Sequence, residues 1–499
     1  MVARVNPGEG SATAPDPDTR REARWLACIL IAALAVRLLV LIGYPNIHYA
    51  DEIYQNLEQA HRFVFGYGVV PWEYRLGTRS WILPGVLSVP LWLGGQLGAT
   101  PEVSTLLAGG LLASSSLLVV VGAFALGRRI SLTHAITAGF AATIWFELIY
   151  HAGRTLTEVV ATTPLVLALV IASKPSPRRA DLLWTGALLG LCLVLRFHLA
   201  PGLAAAALML MWRHGWRVVV PLCLGGLVPL LAAGAIDAWT WGEPFASLTR
   251  NLGVNIVEGR AATFGEEPFY EYVLSIGAHW LVATPVLLLL IGLGARRFPI
   301  WLATAVAVLV THSLIGHKEY RFIFPAVACL VILAGVGSGD VVDWIRRRAR
   351  DRRWVRLALP ACLAAWVLMS LALSLGPFQR DAWTANGGAL RAFHWLNRQP
   401  DLCGVALNGL EWAETGGYAH LHRDVPLYPG RGQQPVGSLT EAFNYQVHRT
   451  SASDAPSVGY QREMCFADPR GEVCVFRREG GCEPMPGHDI NNVLVQTGQ

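Results

Sequence analysis

The stretches 102–126 (EVSTLLAGGLLASSSLLVVVGAFAL) and 272–294 (YVLSIGAHWLVATPVLLLLIGLG) carry a single charged residue between them, Glu102. A helix needs roughly 20 apolar residues to cross the hydrocarbon core of a bilayer. Both stretches exceed that, and similar runs recur along the chain. Only 15% of the residues are charged and 53% are hydrophobic, whereas a soluble protein carries about 25% charged residues. The chain has too little polar material to coat a soluble particle, so it is read as an all-α polytopic membrane protein. The net charge of +5 lies in short clusters. These are orientation signals rather than a surface for nucleic acid.

Those clusters set the topology. They are Arg20/Arg21/Arg24, Arg128/Arg129, Lys174/Arg178/Arg179, Arg213/Arg217, Arg296/Arg297 and the run 346–356 (RRRARDRRWVR). Basic residues mark cytoplasmic loops, so an even number of crossings separates successive clusters. The rule gives about eleven spans, near 25–43, 102–126, 133–150, 156–173, 182–197, 199–212, 218–236, 272–294, 299–315, 322–338 and 357–376. Residues 81–98 are apolar but hold two prolines and four glycines. They are read as a re-entrant or interfacial helix, because counting them as a span would put Arg128 and Arg129 outside. The N-terminus is then cytoplasmic and the C-terminus is not.

Three regions follow. Residues 1–24 form a disordered cytoplasmic tail, 25–376 a transmembrane domain, and 377–499 a small extracytoplasmic α/β domain. The outer face carries loops 44–101, 237–271 and 316–321, a short turn at 151–155, and the terminal domain. The expected location is the inner (plasma) membrane. Four of the nine cysteines, Cys403, Cys465, Cys474 and Cys482, fall in the terminal domain. An even number in an oxidising compartment suggests disulfides. The turn-like DPRG at 468–471 would set Cys465 opposite Cys474, with the register left open.

The unusual polar residues concentrate on the outer face. HYADEIYQNLEQAHRFVFGYGVVPWEYRLGTRS (48–80) holds the adjacent carboxylates Asp51 and Glu52, then Glu73 and Arg79. A carboxylate in a partly dehydrated site gains basicity and can take a proton from a hydroxyl. The alternative is an interfacial helix capped by Asp51. GHKEYRFIFP (316–325) gathers His317, Lys318 and Arg321 in a short outer loop. Three possible cations there can grip a phosphate, or they can pair locally with Glu319. In HAGRTLTE (151–158), Arg154 and Glu158 would share one helix face. Arg196 and His198 stand at a helix end, where they can snorkel. The loop 237–271 is polar, aromatic and long enough to act as a lid. It contains Asn255 in an N-x-x-x-G stretch. Arg79, Glu73, Arg154, Glu158, Asn255 and Glu319 are therefore further candidates for contacting substrate.

HYADEIYQNLEQAHRFVFGYGVVPWEYRLGTRSW, GRTLTE, the FGEEPFYEY stretch and HKEYRFIFP together resemble glycosyltransferase family 22. These are the dolichyl- or polyprenyl-phosphate-mannose-dependent mannosyltransferases of the N-glycan and GPI-anchor type. The likeness runs from about residue 45 to 325, and the Arg-rich, Lys-poor composition with short inner loops suggests a bacterial member. The resemblance implies a C-type glycosyltransferase fold and inverting transfer of a hexose, mannose, from a lipid-phosphate donor to a glycan or glycolipid hydroxyl. It implies Asp51 as base with Glu52 beside it, and His317, Lys318 and Arg321 on the donor phosphate. The implied partners are membrane lipid, the polyprenyl-phosphate sugar and the acceptor, without nucleic acid, metal or other cofactor. Two other functions compete. A transporter or flippase of lipid-linked sugars would show internal repeats and charges at the bilayer midplane, but the sequence has no visible repeat and its charged motifs lie at helix ends. A non-catalytic assembly factor would tolerate changes at both Asp51 and Lys318.

Overall fold

The computed structural model describes residues 17–430, 440–450 and 459–498. Among them, six helical stretches are long and apolar enough to cross a membrane: Asp18–Gly43, Pro101–Arg128, Trp216–Trp241, Glu271–Arg297, Tyr320–Arg348 and Arg352–Ser374. Four shorter apolar helices accompany them: Ile82–Gln96, Leu132–Ile144, Thr157–Ala172 and Pro299–Ser313. The count is thus about ten apolar helices. Helices Arg179–Leu195 and Ala200–His214 occupy the interval where two short spans are expected.

Small residues let these helices approach closely, as packing inside a bilayer requires. A Cβ on Gly186 would lie 2.1 Å from the carbonyl of Leu222, and one on Gly225 would lie 2.0 Å from that of Leu183. These glycines lock Arg179–Leu195 against Val219–Trp241. Gly294 and Gly337 do the same for Thr284–Arg297 and the central helix Phe324–Arg348, which is buried along most of its length. The expected 272–294 span is interrupted. Leu281 takes a positive φ of 44°, so helix Glu271–Trp280 ends before Thr284–Arg297 begins.

The expected tail needs correction at one end. Residues 1–16 lie outside the described residues, but Pro17–Gly43 is one helix. Proline fits the first helical position, and the Asp, Glu and Arg residues that follow are compatible with helix. At this end of the bundle Glu22 pairs with Arg128, and Arg297 with Asp340. The basic clusters thus gather on one side.

The long loops and the terminal domain form the opposite side as one body. Leu57, Leu83, Leu87 and Leu112 share a buried cluster with Leu390, Phe393, Leu407 and Tyr445. The domain is a five-stranded sheet: β1 (Val405–Asn408), β2 (Leu427–Pro429), β3 (Tyr445–Arg449), β4 (Gln461–Phe466) and β5 (Val473–Arg477), in the order β2-β1-β3-β5-β4. β1 is parallel to both β2 and β3, while β5 is antiparallel to β3 and β4. Disulfides join Cys465 to Cys474 across β4 and β5, and Cys403 to Cys482.

Candidate active site

Asp51 opens a π-helical turn, Glu52–Leu57, shortly after the first membrane helix. Its carboxylate accepts a hydrogen bond from Arg321 Nη2 at 2.5 Å. Glu52 points the other way. Arg154 Nη1 donates to both of its oxygens at 2.7 and 2.6 Å, and Thr155 Oγ1 donates to its backbone carbonyl at 2.5 Å. Asn56 closes the contact by donating to the Thr155 carbonyl at 2.7 Å. These bonds fasten the turn to segment 150–155 and hold Asp51 still.

Arg154 and Glu158 do not share a helix face. The chain is irregular through 151–156, and the helix starts at Thr157. Arg154 is therefore free to turn toward Glu52, and Glu158 pairs instead with Arg196 at 3.2 Å and Arg321 at 3.5 Å.

Arg321, only 3% exposed, is the hub. It donates to Glu319 through Nε at 2.7 Å and Nη2 at 2.9 Å, besides contacting Asp51 and Glu158. A buried guanidinium needs such compensation. His317 Nε2 meets Glu319 at 3.1 Å. That bond raises the imidazole's pKa. Although burial opposes it, the combined pull of Arg321 and His317 holds the Glu319 carboxyl well below its ordinary range. Lys318 is not part of this cluster. Its ammonium donates to the carbonyls of Glu267 (2.8 Å) and Ile315 (2.6 Å) and so ties this loop to the end of loop 237–271.

Asp51, Glu319, Arg321 and His317 line a cavity of about 1000 Å³. Glu73 and Asn255 line it too. Glu73 accepts from Gln55 Nε2 at 2.9 Å, and burial raises its pKa. Asn255 donates to Asn251, which in turn holds the Thr78 carbonyl. Glu52, Arg154, Glu158 and Lys318 are not in the wall.

Arg79, Arg196 and His198 stand where this cavity meets a smaller apolar slot of about 90 Å³, lined by Leu193, Leu195, Leu230, Ala233 and Phe245. Arg79 Nε, Arg196 Nε and His198 Nδ1 are buried, and none finds a hydrogen-bond partner among the described residues. A buried polar donor without a partner is costly. Although Arg196 also pairs with Glu158, the open Nε groups of the two arginines can bind an anion at the mouth of the apolar slot. The sequence marks Arg196 and His198 only as residues at a helix end. Nothing in their spacing links them to Arg79, which lies in a different loop.

The model of the Alg9-like mannosyltransferase family matches residues 28–422. The chain belongs to the Alg9-like mannosyltransferase family. It is a polytopic membrane glycosyltransferase. It is 26% identical over 463 residues to GPI mannosyltransferase 3 of Yarrowia lipolytica, covering 86% of this chain and 82% of that one. It is 24% identical over 329 residues to GPI alpha-1,2-mannosyltransferase 3 of Homo sapiens, covering 63% of this chain and 58% of that one. The match to the bovine protein covers 56% of its length, so the chain spans little more than half of its mammalian relatives. Among solved structures it superposes on ArnT from Cupriavidus metallidurans bound to undecaprenyl phosphate, with a TM-score of 0.64 at 14% identity over 93% of this chain and all of that one. This establishes the C-type glycosyltransferase fold of the Alg9-like protein.

Two expectations change. The family match runs on to residue 422, past the stretch near 325 where the motifs end, and so takes in β1 of the terminal domain. The bacterial membership is corrected: the relatives by sequence come from a yeast, mammals, a frog, a fly, a fish and a trypanosome. Short basic inner loops follow from the physics of membrane insertion and carry no lineage.

Proposed function

We propose that this protein transfers a mannosyl group from a polyprenyl-phosphate donor to a hydroxyl of a glycan or glycolipid, with inversion, on the non-cytoplasmic face. One observation carries the reading. Asp51 and the unpartnered donors of Arg79 and Arg196 line a single cavity, at the mouth of an apolar slot. Asp51 takes the proton of the acceptor hydroxyl as its oxygen attacks the anomeric carbon. The bond from that carbon to the phosphate oxygen breaks, and polyprenyl phosphate leaves carrying the electron pair. The cations stabilise the charge that develops on the leaving phosphate. The slot receives the first part of the lipid chain.

The lipid-phosphate donor has further support in the fold shared with ArnT, which is seen with undecaprenyl phosphate bound. Mannose is supported by family membership, and the orientation by the basic clusters at the far end of the bundle. Arg79, Arg196 and His198 are assigned to the phosphate. Arg321 and His317 orient Asp51 and Glu319, and Lys318 shapes its loop.

The test is incubation of purified protein with polyprenyl-phosphate-mannose and candidate acceptors, with products read by mass spectrometry. A mannosylated acceptor from the parent protein and none from Asp51→Asn is the expected result. Equal product from both removes Asp51 from its role. Exchange of donor across liposomes without glycosidic product favours a transporter instead.

A further inference from the structure

The loop after β1 reaches into the cavity: Glu411 and Trp412 line it together with Asp51. β1 has β2 on one side and β3 on the other, both parallel to it. The chain leaves β1 for one flank and returns on the other. The carboxyl end of β1 is thus the sheet's topological switch point, where open α/β sheets bind ligands.

The indole of Trp412 is fixed relative to Asp51. It stands edge-on to Tyr54, with ring centroids 4.5 Å apart, and the Tyr54 hydroxyl donates to the Trp412 carbonyl at 2.5 Å. Tyr54 lies three residues after Asp51 in the turn that Arg154 fastens. Trp412 is half-buried and Glu411 is exposed. An indole offers a flat apolar surface to the C–H face of a pyranose, and a carboxylate accepts from sugar hydroxyls. The anion-seeking arginines sit elsewhere in the cavity, at the slot. A volume of about 1000 Å³ is at the upper end of ligand sites, roughly 300–1,000 Å³, so it has room for a second sugar beside the donor's.

We propose that Trp412 and Glu411, at the carboxyl end of β1, form the subsite for the acceptor glycan. A neutral sugar ring packs on Trp412 and its hydroxyls bond Glu411, so the terminal domain selects the acceptor while the membrane domain holds the donor. This rests on the transferase reading above.

The test uses the full chain with polyprenyl-phosphate-mannose and a panel of alkyl mannosides, glucosides and glucosaminides. Trp412→Ala raises the acceptor KM about tenfold, Trp412→Phe raises it less, and Glu411→Gln raises it severalfold. Donor KM and the thermophoretic binding of polyprenyl phosphate alone stay at the parent values. Because Glu411 is exposed, Glu411→Gln reports even where a Trp412 variant folds poorly. A parent protein that transfers mannose while Trp412→Phe and Glu411→Gln keep its acceptor KM overturns the subsite and leaves the transferase reading standing. So does a donor KM that rises in step with the acceptor KM. A parent that binds polyprenyl phosphate but mannosylates nothing in the panel overturns the transferase reading, and the subsite with it.

Discussion

The carboxylate of Asp51 lies 2.5 Å from the guanidinium of Arg321, although 270 positions separate them in the sequence. The first follows the opening membrane helix and the second begins the central one. Both line the cavity, at the point where the acceptor hydroxyl loses its proton in the proposed reaction. Replacing Asp51 by Asn keeps a hydrogen-bonding side chain for Arg321 but removes the base. Transfer should fall by about 10²–10⁴, with little change in melting temperature, as read by initial rates and a thermal unfolding curve. A loss of fold in step with activity would reduce Asp51 to a structural ion-pair partner.

Arg321 itself should behave differently. It neutralises Asp51, Glu319 and Glu158 in a buried place. Arg321→Ala leaves Asp51 without its cation, and leaves Glu319 and Glu158 with only His317 and Arg196, a loss of roughly 3–5 kcal/mol for a broken buried pair. Expression and thermal stability should drop together, and Arg321→Lys should recover only part of either, because a point charge does not reproduce the forked geometry.

Arg79 gives the opposite signature. Its buried Nε has no partner among the described residues, so the protein without donor carries an unrelieved desolvation cost. Arg79→Met should leave the melting temperature of that form equal or higher. It should also raise the donor KM by roughly tenfold or more, the magnitude of a lost charge-assisted hydrogen bond. Measuring both on one preparation decides the matter. An unchanged donor KM would show that the phosphate sits elsewhere.

The membrane character and the terminal domain are legible in the sequence, because hydropathy and composition report them directly, and local motifs mark Asp51, Arg321 and Glu319 as candidates. The partners are not. HYADEIYQ shows two adjacent carboxylates but not that Asp51 faces the cavity while Glu52 faces Arg154; one step along a helical turn decides it. HKEYRF shows three cations, and only the folded structure reveals that Lys318 bonds backbone carbonyls of Glu267 and Ile315. Arg79, Arg196 and His198 come from two separate segments and converge only through tertiary packing.

The two disulfides should differ in worth. Cys403 and Cys482 are 79 residues apart, Cys465 and Cys474 only 9. Loop-closure entropy gives roughly 4.5 kcal/mol for the first and roughly 2.6 kcal/mol for the second. Cys403→Ser/Cys482→Ser should lower the unfolding temperature of the terminal domain more than Cys465→Ser/Cys474→Ser does. The reverse order would mean that the short bridge acts through the native sheet rather than through the unfolded chain.

Acid should destabilise the terminal domain and its contact with the loop face. His61 Nε2 meets His422 Nδ1 at 2.9 Å, and His394 Nε2 meets His420 Nδ1 at 2.9 Å. Burial, reinforced by the neighbouring imidazole, pushes His61 down to about 3. Burial pushes His394 down to about 4, against the nearby Glu102. Both pairs are neutral in the folded protein, while imidazoles of the unfolded chain take up protons below about 6.5. The unfolded state then binds more protons, so stability falls as pH drops from about 6.5 toward 4. Glu58 works against this. It is buried among the backbone N–H groups of Val69, Tyr418 and Ala419, and burial pushes it up to about 7. Its contribution is complete below its ordinary value of 4.5 and is lost as pH rises through 7. Four imidazoles outweigh one carboxylate, so unfolding temperatures recorded from pH 7.5 to 5 should decline, and His61→Gln/His394→Gln should flatten the decline. An equal slope in parent and variant would place the acid sensitivity in other groups.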